Sequence, residues 1–444
     1  MQRSVSARRW RSALWFLALV AALAVAIGTW GAWEAMQRSG RTPAELLDYA
    51  DRRMEGHPKV EWLAAPMMAV LREAFDAPAL KERLALSFDV PAPPPRRGAG
   101  DVMPPDPVPP GATVWRVGPS DPLTRIAEAA HRAKDGDIVE IEAGDYYGDV
   151  ASWSQKRLTI RGVNGAARLF AAGKIAEGKA IWVVRGGSIS AEGFDFEGAR
   201  VPDRNGAGIR FEAGALTLRD CRFIGNEMGL LSANDARAEL LLERCEFADN
   251  RRPDGHNHQL YVGQIARLTM RGCYVHSGFV GHLVKSRAAV NLLYCNRITD
   301  ESGGSASYEV EFPNGGVAVL VGNLVQQSST SENTILISYG AEGYVGATHA
   351  LALAHNTLVD KHPRGGVFLR VMRGEGRFAA SVALRAVNNL LAGNDSRLEA
   401  AGPGDFRNNP AVDFDVFVRA LREDWRLPAR APVAGRVVGP AEFA

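Results

Sequence analysis

Between residues 254 and 311 the chain concentrates side chains that move protons and bind anions. Four of its nine histidines fall there, His256, His258, His276 and His282, together with Tyr261, Lys285, Arg287, Tyr308, Glu309 and Glu311. Lysine is scarce in this half of the chain: beyond Lys179 only Lys285 and Lys361 remain. A lysine held beside Arg287 in a dry site is a candidate base. The competing reading pairs Lys285 with Glu309 or Glu311. Those two glutamates are two residues apart, on one face of a strand, with Cβ atoms about 7 Å apart. Such a pair suits inverting glycoside hydrolysis; joined by Asp254 it suits calcium. His256, His258 and His282 suit acid–base chemistry, sugar contact or structural hydrogen bonding, and their spacing fixes no metal geometry. The candidate catalytic set is therefore Lys285, Arg287, His258 and His282. The candidate substrate-binding set is Tyr261, His256, Glu309, Glu311 and Tyr339, with Glu342 near Tyr339 extending the same groove, and no metal-ligand set is assigned.

The elements that must position these groups are read from a column of residues. Cys221, Cys245, Cys273, Cys295, Asn323, Asn356 and Asn389 each close a short apolar run, such as LTLRDC, LLLERC and AVLVGN. The pattern extends more weakly upstream to Phe194 and Val163. A spacing of this order marks a repeat architecture. The runs are strand-like, rich in Leu, Val and Ile and bounded by Gly, Asn and Asp. No helix-length segment separates them, so they are not βαβ units. Like residues stacked on like at roughly 4.8 Å point to a parallel β-helix. The four cysteines are read as a reduced, buried stack of small apolar side chains. Counting back from each apolar run aligns Val262, Val284 and Glu311, then Leu260, His282 and Glu309, then Gly263, Lys285 and Phe312.

The rest of the chain frames this solenoid. It has 444 residues, a net charge of +2 and 23% charged residues, a balance that gives no reason to expect a nucleic-acid partner. Residues 1–12 carry Arg3, Arg8, Arg9 and Arg11, and residues 13–33 carry no charge. Such a run is long enough for a helix across about 30 Å of hydrocarbon. The arginines favour a cytoplasmic start. That reads as an inner-membrane anchor with everything after it periplasmic; a signal peptide cleaved near Ala24–Ala26 is the alternative. Residues 42–88 read as a helical stalk, opening at Thr42-Pro43-Ala44-Glu45, with a second helix over 60–75 and a third over 80–86. Residues 89–112 are a proline-rich linker. The β-helix domain spans 113–440. Residues 122–134 form an amphipathic helix, and residues 412–423 are expected to form a short closing helix.

The order of helix, Asp135-Gly136-Asp137 turn, strand and Gly144-Asp145-Tyr146 resembles the opening of pectate-lyase-like right-handed β-helix proteins, in which the helix caps the first coil. The ending Asp424-Trp425-Arg426-Leu427 with Ala431-Pro432 is similar to theirs. The run containing Lys285-Ser286 resembles the alginate-lyase and chondroitinase-B family. That resemblance implies Lys285 as the base taking the C5 proton of a uronate, an assisting arginine and a calcium ion on the uronate carboxylate. The family's Arg-His-Gly run one coil on is replaced here by Glu309-Val310-Glu311-Phe312. The wider run also resembles uncharacterised proteobacterial right-handed β-helix proteins.

These readings combine into one expectation: an all-β, right-handed parallel β-helix with an N-terminal cap helix, preceded by a transmembrane helix and a stalk. Its expected partner is a polysaccharide. A lyase or epimerase of a uronate-containing glycan is the first functional expectation, and a non-catalytic glycan-binding or scaffold protein of the envelope is the second.

Overall fold

The computed structural model describes residues 108, 110–372, 381–393, 397–399 and 403–435, together with the helix Pro58–Asp76 and positions 47, 50 and 54. The expected anchor over 13–33, the third stalk helix and most of the linker lie outside the described residues. Among the described residues no helix is long and apolar enough to cross a membrane.

Apolar alternation makes each coil. In Leu216-Thr217-Leu218 and Leu240-Leu241-Leu242 the first and third side chains point inward and are 0–1% exposed. The next coil repeats the pattern in register, Leu216 beside Leu240 beside Leu268. Among the described residues every strand ladder is parallel, and each coil returns to pair with the one before it, as a parallel β-helix requires. Crossovers between parallel strands take the right hand as a rule. One run of strands passes through Ser188–Glu192, Ala215–Arg219, Glu239–Glu243, Arg267–Arg271, Val290–Tyr294, Val317–Val321 and Ala350–Ala354. After a sharp turn a second run follows, including Arg222–Ile224, Glu246–Ala248, Tyr274–His276 and Arg297–Thr299. The third sheet contains Ala207–Phe211, Met228–Ser232, Leu260–Val262, Val284–Ser286, Val310–Phe312, Ile335–Tyr339 and Val367–Val371. Aromatic side chains stack along the interior: the rings of Phe196, Phe223 and Phe247 lie 5.0 and 4.7 Å apart and nearly parallel.

The turn between the first two runs carries the column read from the sequence, with one correction. Its members are Cys221, Cys245, Cys273, then Asn296, Asn323, Asn356, Asn389 and Asn409. Each asparagine Nδ2 donates to the next Oδ1 at 2.8–2.9 Å. Each Oδ1 also accepts a backbone N–H from the coil before it, beginning with that of Cys273. Cys295 stands outside the column: it is exposed, with a left-handed backbone at φ 53°. The same strained position is held by Arg244, Gly272, Gly322, His355 and Asn388 on other coils. Upstream, Phe194 holds the column's place before Cys221, and Ala167, not Val163, precedes it. The three stacked thiols are buried, and burial pushes that of Cys245 well up.

The cap helix is shorter than expected, Ile126–Arg132, because Leu123 bridges to the strand at Val117. Its first amides, those of Ile126 and Ala127, donate to the Asp149 carboxylate at 2.6 and 3.0 Å, and its apolar side, Ile126, Ala129 and Ala130, is buried. In place of the expected closing helix over 412–423 the chain forms two 3₁₀ turns, Phe414–Val416 and Ala420–Arg422. Stalk residues 58–76 are helical, two residues longer at the start than expected and with Pro66 inside.

Two outcomes test this arrangement. A thiol reagent should modify one cysteine promptly in the native protein and three more only on unfolding; two or more prompt thiols would contradict the buried stack. Asn356→Ala removes the acceptor of the Asn323 backbone N–H and of one Asn323 Nδ2 hydrogen, and the side-chain donor to the Leu320 carbonyl and Asn389 Oδ1, so a loss of about 2–4 kcal/mol is expected in denaturant unfolding.

Candidate functional site

The third sheet projects a row of side chains outward. Tyr261 is in register with Lys285, Lys285 with Glu311, Glu311 with Ser338 and Ser338 with Arg370. Their neighbours Leu260, Val284 and Val310 point inward and are fully buried. This register differs from the sequence alignment, which put His282 beside Leu260, two residues off, and Lys285 beside Phe312, one residue off. Asn291 causes part of the first offset, and unequal connection lengths between the two strands cause the rest. Asn291 occupies the inward place that Leu268 holds one coil earlier, with its amide bound by the Ser286 hydroxyl at 2.6 Å and the Ala288 carbonyl at 2.9 Å. A polar residue inside hides the true alignment.

His258 and His282 precede Tyr261 and Lys285 by three residues each and pack together, their rings 4.7 Å apart and tilted by 48°. The backbone N–H of His282 donates to His258 Nδ1 at 2.9 Å, which places the ring hydrogen of His258 on Nε2. Tyr308 closes against His282 edge-on at 4.9 Å. Glu311 Oε2 lies 2.9 Å from both His282 Nδ1 and Lys285 Nζ. These approaches fall off the best hydrogen-bond direction; Lys285 meets Glu311 as a close charge pair and His282 meets it through its ring dipole. They favour the His282 hydrogen on Nδ1 and leave Nε2 with a lone pair. Lys285 Nζ also donates to Glu342 Oε1 at 2.9 Å, and Arg287 Nη2 to Glu342 Oε2 at 2.5 Å. Arg287 Nη1 donates to the Tyr261 hydroxyl at 2.9 Å, and its guanidinium lies over the Tyr261 ring.

Burial and charge set the protonation states. Burial, then the charges of His282, Lys285 and Arg287, hold His258 well below the ordinary imidazole value. His282 is also lowered by burial, which the nearby Glu311 only partly offsets. Burial raises Glu311, but His282 and Lys285 outweigh it and keep it below the carboxylate range. Glu342 is likewise raised by desolvation and more strongly lowered by Lys285 and Arg287. The cluster therefore holds two neutral imidazoles, two cations and two carboxylates.

Of the residues singled out in the sequence, His258, Tyr261, His282, Lys285, Arg287 and Glu311 come together. Three do not join them. Glu309 precedes its strand at a corner of the coil and turns inward, fully buried. Among the described residues neither of its carboxylate oxygens has a hydrogen-bond partner. Burial raises it well above the carboxylate range, helped by the charge of Asp300. Tyr339 is fully buried in the core, its hydroxyl on the Gly316 carbonyl. His256 is exposed on the preceding loop with a left-handed backbone. The calcium arrangement fails with Glu309 inside, and Asp254 instead pairs with Arg204 and Arg252. Among the described residues no group of three or more His, Cys, Asp or Glu side chains could hold a metal ion. Tyr308 and Glu342 complete the cluster; the sequence alone assigns Tyr308 no role and sets Glu342 in an extension of the groove. Ser338 and Arg370 were missed, and the signal was their place one and two coils beyond Glu311. An open depression of about 750 Å³ beside the cap helix, lined by His131, Lys134, Asp135 and Gln155, shares no residue with the cluster.

No family model and no curated protein matches the chain. Similar solved structures include a pectate lyase, Pel9A, at 12% identity and TM-score 0.46, covering 72% of this chain and 91% of that one. Another is the deglycosylated pectin methylesterase from Aspergillus niger, at 14% identity and TM-score 0.37, covering 71% and 95%. The chain has a parallel β-helix fold, a conclusion that stands on the coil register; likeness at this level carries no activity across.

The enclosed Glu309 makes a stability prediction. Its folded-state affinity for a proton is raised, while in the unfolded chain it ionises near the ordinary value of about 4.3. Its contribution is thus fully present below that pH and lost as pH rises toward the folded value. Glu309→Gln should melt with the native protein at pH 4 and at least about 2 °C above it at pH 8; equal melting at both pH values would show an ionised or solvated Glu309.

Proposed function

We propose that this protein acts on a uronate-containing polysaccharide by removing the proton next to the uronate carboxylate, as a lyase or epimerase. The observation that supports it is the convergence of His282, Glu311, Lys285 and Arg287 on one outward row of the third sheet. Proton abstraction beside a carboxylate needs a base and a positive environment for the charge that builds on the carboxylate. His282 Nε2 is the candidate base, oriented by Glu311 through Nδ1. This differs from the sequence expectation of Lys285 as base, because Lys285 lies between two carboxylates and serves better as a charge partner. Lys285 and Arg287 meet the uronate carboxylate. The C5 proton passes to His282, and its electron pair moves into the carboxylate system. A lyase then expels the O4 oxygen as the C4–C5 double bond forms. An epimerase returns a proton to the opposite face. The Tyr261 hydroxyl, accepting from Arg287, keeps its own hydrogen free for donation to a sugar oxygen. His258 fixes His282 through its backbone.

A non-catalytic glycan-binding role in the cell envelope is the second reading. The mutual pairing of the two cations with two carboxylates favours it, since a self-satisfied cluster also suits passive binding. The proposed location is the periplasmic side of the inner membrane, supported by the arginine-rich start and the uncharged run over 13–33.

A panel of uronate polymers tests the reaction. Ultraviolet absorbance reports unsaturated uronates, and deuterium exchange at C5, read by nuclear magnetic resonance, reports epimerisation. His282→Ala should lose about 10²-fold or more in rate, Arg287→Ala should chiefly raise KM, and the acid limb of the pH–rate profile should lie below about 6.5. Binding without exchange on every polymer selects the second reading; neither binding nor exchange overturns both.

A further inference from the structure

We propose that Glu342 is an internal stand-in for the ligand carboxylate, seated in the subsite formed by Lys285 and Arg287, and that a ligand enters by displacing it. The proposal rests on the uronate reading above and deepens it. Glu342 is gripped as a ligand carboxylate would be: Lys285 Nζ meets one oxygen at 2.9 Å and Arg287 Nη2 the other at 2.5 Å. The two cations are recessed, with side chains 11% and 16% exposed, whereas Glu342 lies outermost at 44%. Glu311, the other carboxylate on Lys285, is 3% exposed and cannot leave.

The backbone that carries Glu342 is fixed independently of its side chain. The N–H of Glu342 donates to the Pro313 carbonyl at 2.9 Å, that of Val345 to Asn314 at 3.0 Å, and the Tyr344 hydroxyl to the Met372 carbonyl at 2.5 Å. The side chain can therefore swing off the cations while the loop stays in place. Leaving the recessed cations unpaired would be costly, so Glu342 gives way only as an incoming carboxylate takes over its pairing. Charge accounting gives the ligand class. Lys285 and Arg287 balance Glu311 and Glu342; with Glu342 gone the subsite carries one net positive charge, matched by one carboxylate. Glu342 then sets specificity: a neutral sugar gains nothing from displacing it, whereas an acidic one replaces charge with charge.

Calorimetric binding of an oligogalacturonate and of a neutral oligosaccharide of equal length tests this. Glu342→Gln should tighten the acidic oligomer by about tenfold and leave the neutral one unchanged. Glu342→Asp, one methylene shorter, should fall between Gln and the native protein, which guards against a loop merely disturbed by substitution. Arg287→Ala should lose the acidic oligomer. If Glu342→Gln binds it no better than the native protein while Arg287→Ala abolishes binding, the stand-in role is overturned and the uronate reading survives. If neither native nor Glu342→Gln protein binds an acidic oligomer, both fall together.

Discussion

Parallel strands stacked in register at roughly 4.8 Å are the constraint on which every placement here depends. A one-residue slip would turn each coil's apolar set outward. The asparagine ladder opposes that slip at the sharpest turn. Each amide reaches both neighbouring coils, so Asn323 is satisfied only if Asn296 and Asn356 are in place. Toward the N-terminal side the same column is cysteine, which fills space without tying one coil's side chain to the next by a strong bond. Register there rests more on packed rings such as Phe196, Phe223 and Phe247.

The same stacking that makes the core also concentrates charge. Side chains on one outward row have no freedom to avoid their neighbours, so Lys285 beside Glu311 is a consequence of register. The charges offset one another locally, which is why carboxylates as enclosed as Glu311 stay ionised. Glu309 shows the opposite case. Two residues away and turned into the coil, it finds no cation and keeps its proton. The distinction between a working carboxylate and an inert acid is made by a corner of the backbone.

The architecture was legible because its signal repeats. A column of like residues at the ends of apolar runs specifies coils even when single members are misread, as Cys295 was for Asn296. The site was legible in composition more than in geometry. Lys285, His282 and Glu311 stood out as unusual residues on neighbouring coils, and they do meet. The alignment of Lys285's coil on Tyr261's was off by two, one residue because Asn291 is polar yet inward and one because the connection from Ser286 to Asn291 is shorter than that from Val262 to Leu268. Glu309 and Tyr339 misled for a common reason: alternation predicts a face only within a strand, and Glu309 sits at a bend, while every residue of Ile335–Tyr339 is buried. Glu342 lay beyond its strand, on a loop whose reach no periodicity encodes.

The cluster draws Tyr261, Lys285, Glu311 and Glu342 from four successive coils. In a solenoid, stability is mainly a sum over adjacent interfaces. The ion pairs between Lys285 or Arg287 and Glu342 skip a coil, and so act as a cross-brace along the axis. A polymer that replaced Glu342 would take over that brace, making the stiffness of the solenoid's middle a property of its occupancy.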